Sequence, residues 1–242
     1  MSVGTIYGLG LGPGDADLMS VRADRLLRNA RHVAFFRKKG RKGQARQIVE
    51  GMLRDDVIEF PMEYPVTTEI PVTDPRYNEL LSAFYAETTA HLRHLSAAGE
   101  DVVVLCEGDP FFYGSFMHLY SRLVDHVPVQ IVPAITGMSG AWTATGAPIT
   151  WGDDVLTVLM GTLDQPRLEA HIKATDALVV MKIGRNFDKV VAALKNAGKY
   201  DDAWLVEFAT MPNQTVNRLR DVGGKITPYF SIIVVHGQGR RP

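Results

Sequence analysis

The chain has 242 residues, enough for one large or two small domains with a substantial core. Apolar residues make up 46% and charged residues 22%, the balance of an ordinary globular protein rather than a disordered one. Lys and Arg number 26 against 27 Asp and Glu, so no global positive field exists to hold nucleic acid and any electropositive site must be local. Cys106 is the only cysteine; it excludes an internal disulfide, fits a reducing compartment and reads as a small core residue. The N-terminus has no charged leader, and no stretch approaches the ~18 uncharged apolar residues of a membrane span. A soluble cytoplasmic protein without a membrane partner is expected.

Apolar runs alternate with helix-period segments, which predicts βα units and a mainly parallel sheet. Residues 3–9 form the first expected strand, which runs into Gly8-Leu9-Gly10-Leu11-Gly12-Pro13-Gly14-Asp15. A helix follows over 18–29, with Leu18, Val21, Leu26 and Leu27 on its apolar side, and then a strand over 32–36. Six cations crowd the span from Arg37 to Arg46, and a helix is expected over 45–53. Residues 63–74 make one long polar, proline-bearing loop, read as a lid. Asp74-Pro75 has the form of an N-cap and first helical residue, opening a long helix to about residue 98. Leu80, Leu81, Phe84, Tyr85, His91, Leu92 and Leu95 recur along it at helical spacing.

A buried strand over 102–106 ends in Glu107-Gly108-Asp109-Pro110, then come a helix over 114–124, a strand over 129–132 and a small-residue helix over 136–145. After Gly146-Ala147-Pro148 the texture changes. Strands are expected over 155–160 and 177–181 with helices over 166–174 and 187–197, and β-rich segments over 203–209, 214–219 and 231–236. Val222-Gly223-Gly224 reads as the turn between the last two. The class is α/β: a parallel-sheet N-terminal domain, residues 1–143, and a mixed-sheet C-terminal domain, residues 144–242.

Two strands that each end in a glycine-acid-proline turn point to a ligand site at the carboxyl ends of a parallel sheet. The dinucleotide spacing G-x-G-x-x-G fails, because its last place falls on Pro13 or on Asp15. The first has no N–H and the second repels a pyrophosphate. No G-x-x-x-x-G-K-[ST] occurs either, so NAD and ATP are disfavoured. Gly108 lets backbone approach a ligand, and Asp109 can hold a ligand or take a proton, or merely close an Asx-turn before Pro110. Tyr113 reads as a cleft wall. Thr136-Gly137 opens a helix directly after a strand, where free N–H groups can meet a carboxylate or serve only as a cap site. The run containing Arg37, Lys38 and Lys39 is either a solvated loop or an attractor for a polycarboxylate; it lacks the interleaved aromatics of a nucleic-acid surface. Lys182, at a strand end, is the more selective candidate for a substrate carboxylate. His91 and His94 have no evident third ligand, so no metal site is expected.

Gly8 to Asp15, Glu107 to Gly114, Val132 to Gly137, Glu207-Phe208-Ala209-Thr210 and Pro228 to Ile233 together resemble the tetrapyrrole methylase family of S-adenosylmethionine-dependent methyltransferases. The five segments occur in the family's order and cover essentially the whole chain. Phe60-Pro61-Met62 and Met181-Lys182-Ile183-Gly184 are most similar to its branch acting on C20 of precorrin-2, whose close relative takes cobalt-factor II. The resemblance implies a two-domain α/β methyltransferase, a homodimer, with S-adenosylmethionine bound in the cleft between its halves and a carboxylate-rich tetrapyrrole as substrate. It implies donor contacts from Pro13, Gly108, Asp109, Tyr113, Thr136 and Gly137 in the first half of the motif set. From the second half come Met160 and Gly161 beside the donor, with Ala209, Thr210, Tyr229, Phe230, Ser231 and Ile232 around adenine and ribose. Arg37, Lys38 and Lys39 are the candidates for substrate carboxylates; Asp109, Lys182 and Tyr229 are those for proton removal and substrate orientation. In-line methyl transfer needs positioning and exclusion of water rather than an enzyme nucleophile or a metal. The rivals are another tetrapyrrole position, a diphthine synthase, a ribosomal RNA methylase, and a non-catalytic nucleotide-sensing module.

Overall fold

In the computed structural model, which describes residues 2–67, 69, 70, 74–223 and 227–241, the N-terminal apolar runs become five parallel strands. These are β1 (Ile6–Gly10), β2 (His32–Lys38), β3 (Ile58–Tyr64), β4 (Val102–Cys106) and β5 (Val129–Val132), in the order β3-β2-β4-β1-β5. Ile6 of β1 lies beside Val102 of β4 on one flank and Val129 of β5 on the other. Val103 and Leu105 pack in a core that includes Ala23 and Leu27 of helix α1 (Val21–Asn29) and Ala45 of helix α2 (Gln44–Ile48). Val102, Val104 and Cys106 pack with Tyr85 and Leu92 of α3 (Pro75–Ala97) and Phe116, Leu119 and Leu123 of α4 (Phe116–Leu123). Burial on both faces is why β4 reads as an unbroken apolar run rather than an alternating one. Cys106 is a core residue, as expected; burial pushes its thiol pKa well up, and the negative charges of Glu107 and Asp109 add to that.

Local chemistry explains most boundaries and the departures from them. Asp74 accepts a hydrogen bond from Arg76 N–H at 3.0 Å with Pro75 next to it, so α3 opens where the spacing predicts. The helix expected over 18–29 instead splits into a 3₁₀ turn at Ala16–Leu18 and α1, which starts after Ser20 caps Ala23 N–H at 3.1 Å. Val21 is 76% exposed, and Ala23 and Leu27 carry the buried face in its place. Helix α2 is only five residues long, shorter than the expected 45–53. Strand β3 is an addition to the sequence reading; its Pro61 is tolerated because β3 is the edge strand. Glu63 and Tyr64 of the expected 63–74 loop belong to β3, and residues 68 and 71–73 of that loop lie outside the described residues. Gly224 of the expected turn lies outside them too.

The chain divides into two units, Met1–Thr136 and Gly137–Pro242. The second holds β6 (Leu156–Met160), β7 (Ala177–Met181), β8 (Trp204–Glu207), β9 (Thr215–Arg218) and β10 (Ser231–Val235), in the order β6-β7-β10-β8-β9. Strand β6 pairs parallel with β7; β10 pairs antiparallel with both β7 and β8, and β9 antiparallel with β8. Helices α6 (Gln165–Lys173) and α7 (Phe187–Asn196) supply Leu168, Ile172, Val190 and Leu194 to a core with Leu178, Val180, Leu205 and Ile233. Ala141 of helix α5 (Gly137–Ala144) packs with Val206 and Val234 in a separate cluster. That packing puts α5 in the second unit, whereas sequence texture alone places the break after it. Among the described residues no helix is long and apolar enough to cross a membrane.

Candidate active site

Parallel pairing of β4, β1 and β5 sets their carboxyl ends side by side, and with them the turns Leu11–Asp15, Glu107–Gly114 and Pro133–Thr136. Backbone bonds tie the first two turns together: Leu11 N–H donates to Cys106 O at 3.0 Å and Gly108 N–H to Gly12 O at 2.8 Å. Gly12 and Gly108 hold φ of +84° and +64°, a region glycine enters without strain. Asp109 ties in the third turn. Its Oδ1 accepts from Phe111 N–H at 2.9 Å, an Asx-turn, while its Oδ2 accepts from Ala134 N–H at 3.0 Å. Pro13, Gly108, Asp109, Tyr113 and Thr136 are therefore gathered at one edge of the first sheet. Tyr113 is 47% exposed and held at φ +54°, a conformation that costs a bulky residue about 1–3 kcal/mol and recurs at functional sites.

Glu107 opens the second turn but is given no role by the sequence pattern. Its Oε1 accepts from Ala45 N–H, at the start of α2, at 2.9 Å. Burial pushes its carboxyl up from the usual carboxylate range, opposed by the backbone N–H groups of Ala45 and of Glu107 itself. The residue as a whole is half-buried at the end of β4.

The basic run is compensated by nearby acids, two of which lie on the neighbouring strand β3. The β2–β3 register sets Arg37 beside Glu63, and the two form an ion pair at 2.6 Å. Lys38 pairs with Glu69, whose carboxyl the ammonium and then the Thr67 N–H hold far below the usual range. Arg46 grips Glu59 through two bonds of 2.9 Å, and Lys42 reaches Glu50 at 3.5 Å. Among the described residues, Lys39 and Arg41 are in no ion pair. The local positive field is thus smaller than the count of six cations suggests, because the acids that answer it lie 8–31 residues away in the chain.

In the second unit β6, β7 and β8 run in one direction and β10 in the other, so the carboxyl ends of the first three share an edge with the start of β10. Met160, Gly161, Lys182, Ala209, Thr210, Tyr229, Phe230, Ser231 and Ile232 all fall there. Gly161 N–H donates to Met181 O at 2.7 Å, and a Cβ at Gly161 would lie 3.0 Å from Lys182 O. Phe208 N–H donates to Phe230 O at 2.8 Å, and Thr210 N–H to Gln214 Oε1 at 2.7 Å. Ser231 Oγ donates to Pro228 O at 2.8 Å, shaping the approach to β10. Ile232 Cδ1 comes within 3.7 Å of where a Gly137 side chain would begin, which brings the start of α5 to this strand. Tyr229 is 76% exposed beside the Phe230 ring. Lys182, Phe208 and Thr210 hold φ of +53°, +52° and +65°, so three strained residues follow β7 and β8. His91 lies against the Phe60 ring at 4.2 Å, and no group of three His, Cys, Asp or Glu among the described residues is placed to hold a metal.

The model of the Tetrapyrrole (Corrin/Porphyrin) Methylases matches residues 5–222. The chain belongs to the tetrapyrrole methylase family. The matched span of this tetrapyrrole methylase holds the strand ends of β1 and β4 to β8 and stops short of β10. A precorrin-2 C(20)-methyltransferase of Sinorhizobium sp is 45% identical over 243 residues, which cover 100% of this chain and 99% of that protein. A cobalt precorrin-4 methyltransferase structure superposes with a TM-score of 0.72 at 22% identity, covering 96% of this chain and 94% of the other. The uroporphyrin-III C-methyltransferase of Thermus thermophilus, solved with S-adenyl homocysteine, gives 0.67 at 22% identity, covering 96% and 97%. At such identities the likeness speaks for the tetrapyrrole methylase fold, with its parallel first sheet and mixed second one.

Proposed function

We propose that the protein transfers a methyl group from S-adenosylmethionine to C20 of precorrin-2, a step of cobalamin biosynthesis. The observation that carries this reading is the full-length relation to the Sinorhizobium precorrin-2 C(20)-methyltransferase. The donor supplies an electrophilic methyl group on a sulfonium. Its fit is supported by the strained turns after β7 and β8; Gly161 lets the turns after β6 and β7 pack closely, since a side chain there would meet Lys182 O. Met160 offers a polarizable wall, Gly137 bare backbone at the start of α5, and Tyr229 and Phe230 aromatic surface for adenine. Pro13, Gly108, Tyr113 and Thr136 are assigned to the donor, as the motif resemblance implies, and Lys182 to a substrate carboxylate. Asp109 is assigned a positioning role, since both its oxygens already accept backbone N–H groups. The family resemblance of the motifs supports a cytoplasmic homodimer.

Calorimetry is expected to detect S-adenosylhomocysteine binding and none of NADH or ATP, and precorrin-2 with the donor is expected to change absorbance as one methyl group is added. Metal-free and cobalt-loaded substrates assayed side by side decide which is preferred. Tight NADH binding without methyl transfer would overturn the reading.

Arg37, Lys38 and Lys39 are proposed to meet substrate carboxylates. Neutralising all three leaves Glu63 and Glu69 uncompensated beside the same strand ends. The tetrapyrrole KM is expected to rise while the donor KM holds, and the difference should shrink in high salt, which screens exposed charges. An unchanged tetrapyrrole KM at low salt would return the run to a solvated loop.

A further inference from the structure

The geometry points to Glu107 as the catalytic base that takes the C20 proton, an inference that rests on the methyl-transfer reading above. In the reaction C20 attacks the donor methyl: a C–C bond forms, the S–CH₃ bond breaks, and its electron pair stays on sulfur as the neutral thioether. C20 then bears both hydrogen and methyl. The carboxylate takes that proton, the C–H pair returns to the ring's conjugated system, and the acid so formed passes its proton to water.

Three observations single out Glu107. It follows β4 directly and adjoins Gly108, at the edge where the turns after β1, β4 and β5 meet. Asp109, the other carboxylate of that turn, has each oxygen committed to a backbone N–H, so a proton there would displace a bond that joins two turns. Glu107 accepts from Ala45 N–H at 2.9 Å and from its own N–H, bonds that do not tie the turns after β4 and β5 together, and among the described residues it is in no ion pair. A carboxyl without a cation has its proton affinity raised by burial, the direction that favours a proton acceptor. The titratable groups around it leave this unopposed. Cys106 on its own strand is a neutral buried thiol, Asp109 is bonded as above, Arg46 on α2 is paired with Glu59, and Asp15 on the β1 turn caps Asp17 N–H.

The full-length Glu107→Gln and Glu107→Ala variants test it. Glutamine keeps an acceptor for Ala45 N–H but no basicity. Its melting temperature and S-adenosylhomocysteine affinity are expected to match wild type, while kcat falls by roughly 10²-fold or more. The wild-type pH–rate profile is expected to fall on the acid side as Glu107 protonates, and that limb is expected to vanish in Glu107→Gln. Alanine removes the acceptor as well and is expected to lower the melting temperature. Near-native kcat in Glu107→Gln, or a kcat loss matched by a lower melting temperature, overturns the base and leaves a cap for α2. Wild-type protein that does not methylate precorrin-2 overturns the functional reading itself, and the inference with it.

Discussion

Gly10→Ala is expected to lower the melting temperature by several degrees and kcat/KM by roughly 10²-fold, from the addition of one methyl group. The Cβ would sit 2.6 Å from Ala134 Cβ, 2.9 Å from Gly108 O and 3.0 Å from Pro110 Cδ. None of these is the far end of a flexible side chain that can swing away. They belong to the turns after β4 and β5, which Asp109 already holds together, so relief has to come from moving backbone at the edge itself. Overpacking of this kind costs about 1–3 kcal/mol, which for a unit of this size means roughly 3–10 °C. The larger effect falls on activity, because a displacement of ~1 Å in a positioning edge can cost about 10²-fold. Gly198→Ala is the control: it has φ +71° and nothing within 4 Å, so strain reduces its stability while turnover stays near wild type. Thermal melts and steady-state rates on both variants check the contrast. A fully active Gly10→Ala with unchanged melting would mean that the turns are looser than the packing implies.

What the sequence made legible follows from local physics. Strand β4 is apolar at every position, its turn needs Gly108 at positive φ, and Asp74-Pro75 caps a helix by itself, so each is recoverable from a few neighbouring residues. Site residues named from motifs at strand ends fall on two sheet edges for the same reason: in a parallel sheet, following a strand is enough to share an edge with its neighbours. What stayed hidden depends on partners far along the chain. Nothing near Glu107 announces Ala45, 62 residues away, and nothing near Asp109 announces Ala134. The six cations looked unopposed because Glu63 meets Arg37 only through the β2–β3 register, and β3 itself was obscured by Pro61. Positive φ at Lys182, Phe208 and Thr210 was invisible, since none is a residue type that advertises it.

Asp109→Asn is expected to destabilise the first unit and to slow turnover only in proportion, with the shape of the pH–rate profile preserved. The carboxylate faces two N–H groups, Phe111 at 2.9 Å and Ala134 at 3.0 Å, with one oxygen for each. Asparagine has a single acceptor. Whichever way its amide turns, one backbone N–H meets an NH₂ group and goes unsatisfied, at a cost of about 1–3 kcal/mol. If the carbonyl stays with Phe111, the Asx-turn survives and the bond between the β4 and β5 turns is lost; if it turns to Ala134, the reverse holds. Either loosens the edge on which Gly10 and Glu107 depend, so donor and substrate KM should both rise alongside a lower melting temperature. A proton acceptor at this position would behave differently: melting would stay native, kcat would fall by roughly 10²-fold or more, and the acid limb of the profile would disappear. Measuring melting, both KM values and the pH profile on the same preparation separates the two. A native melting temperature in Asp109→Asn would remove the staple and return Asp109 to the list of candidate bases.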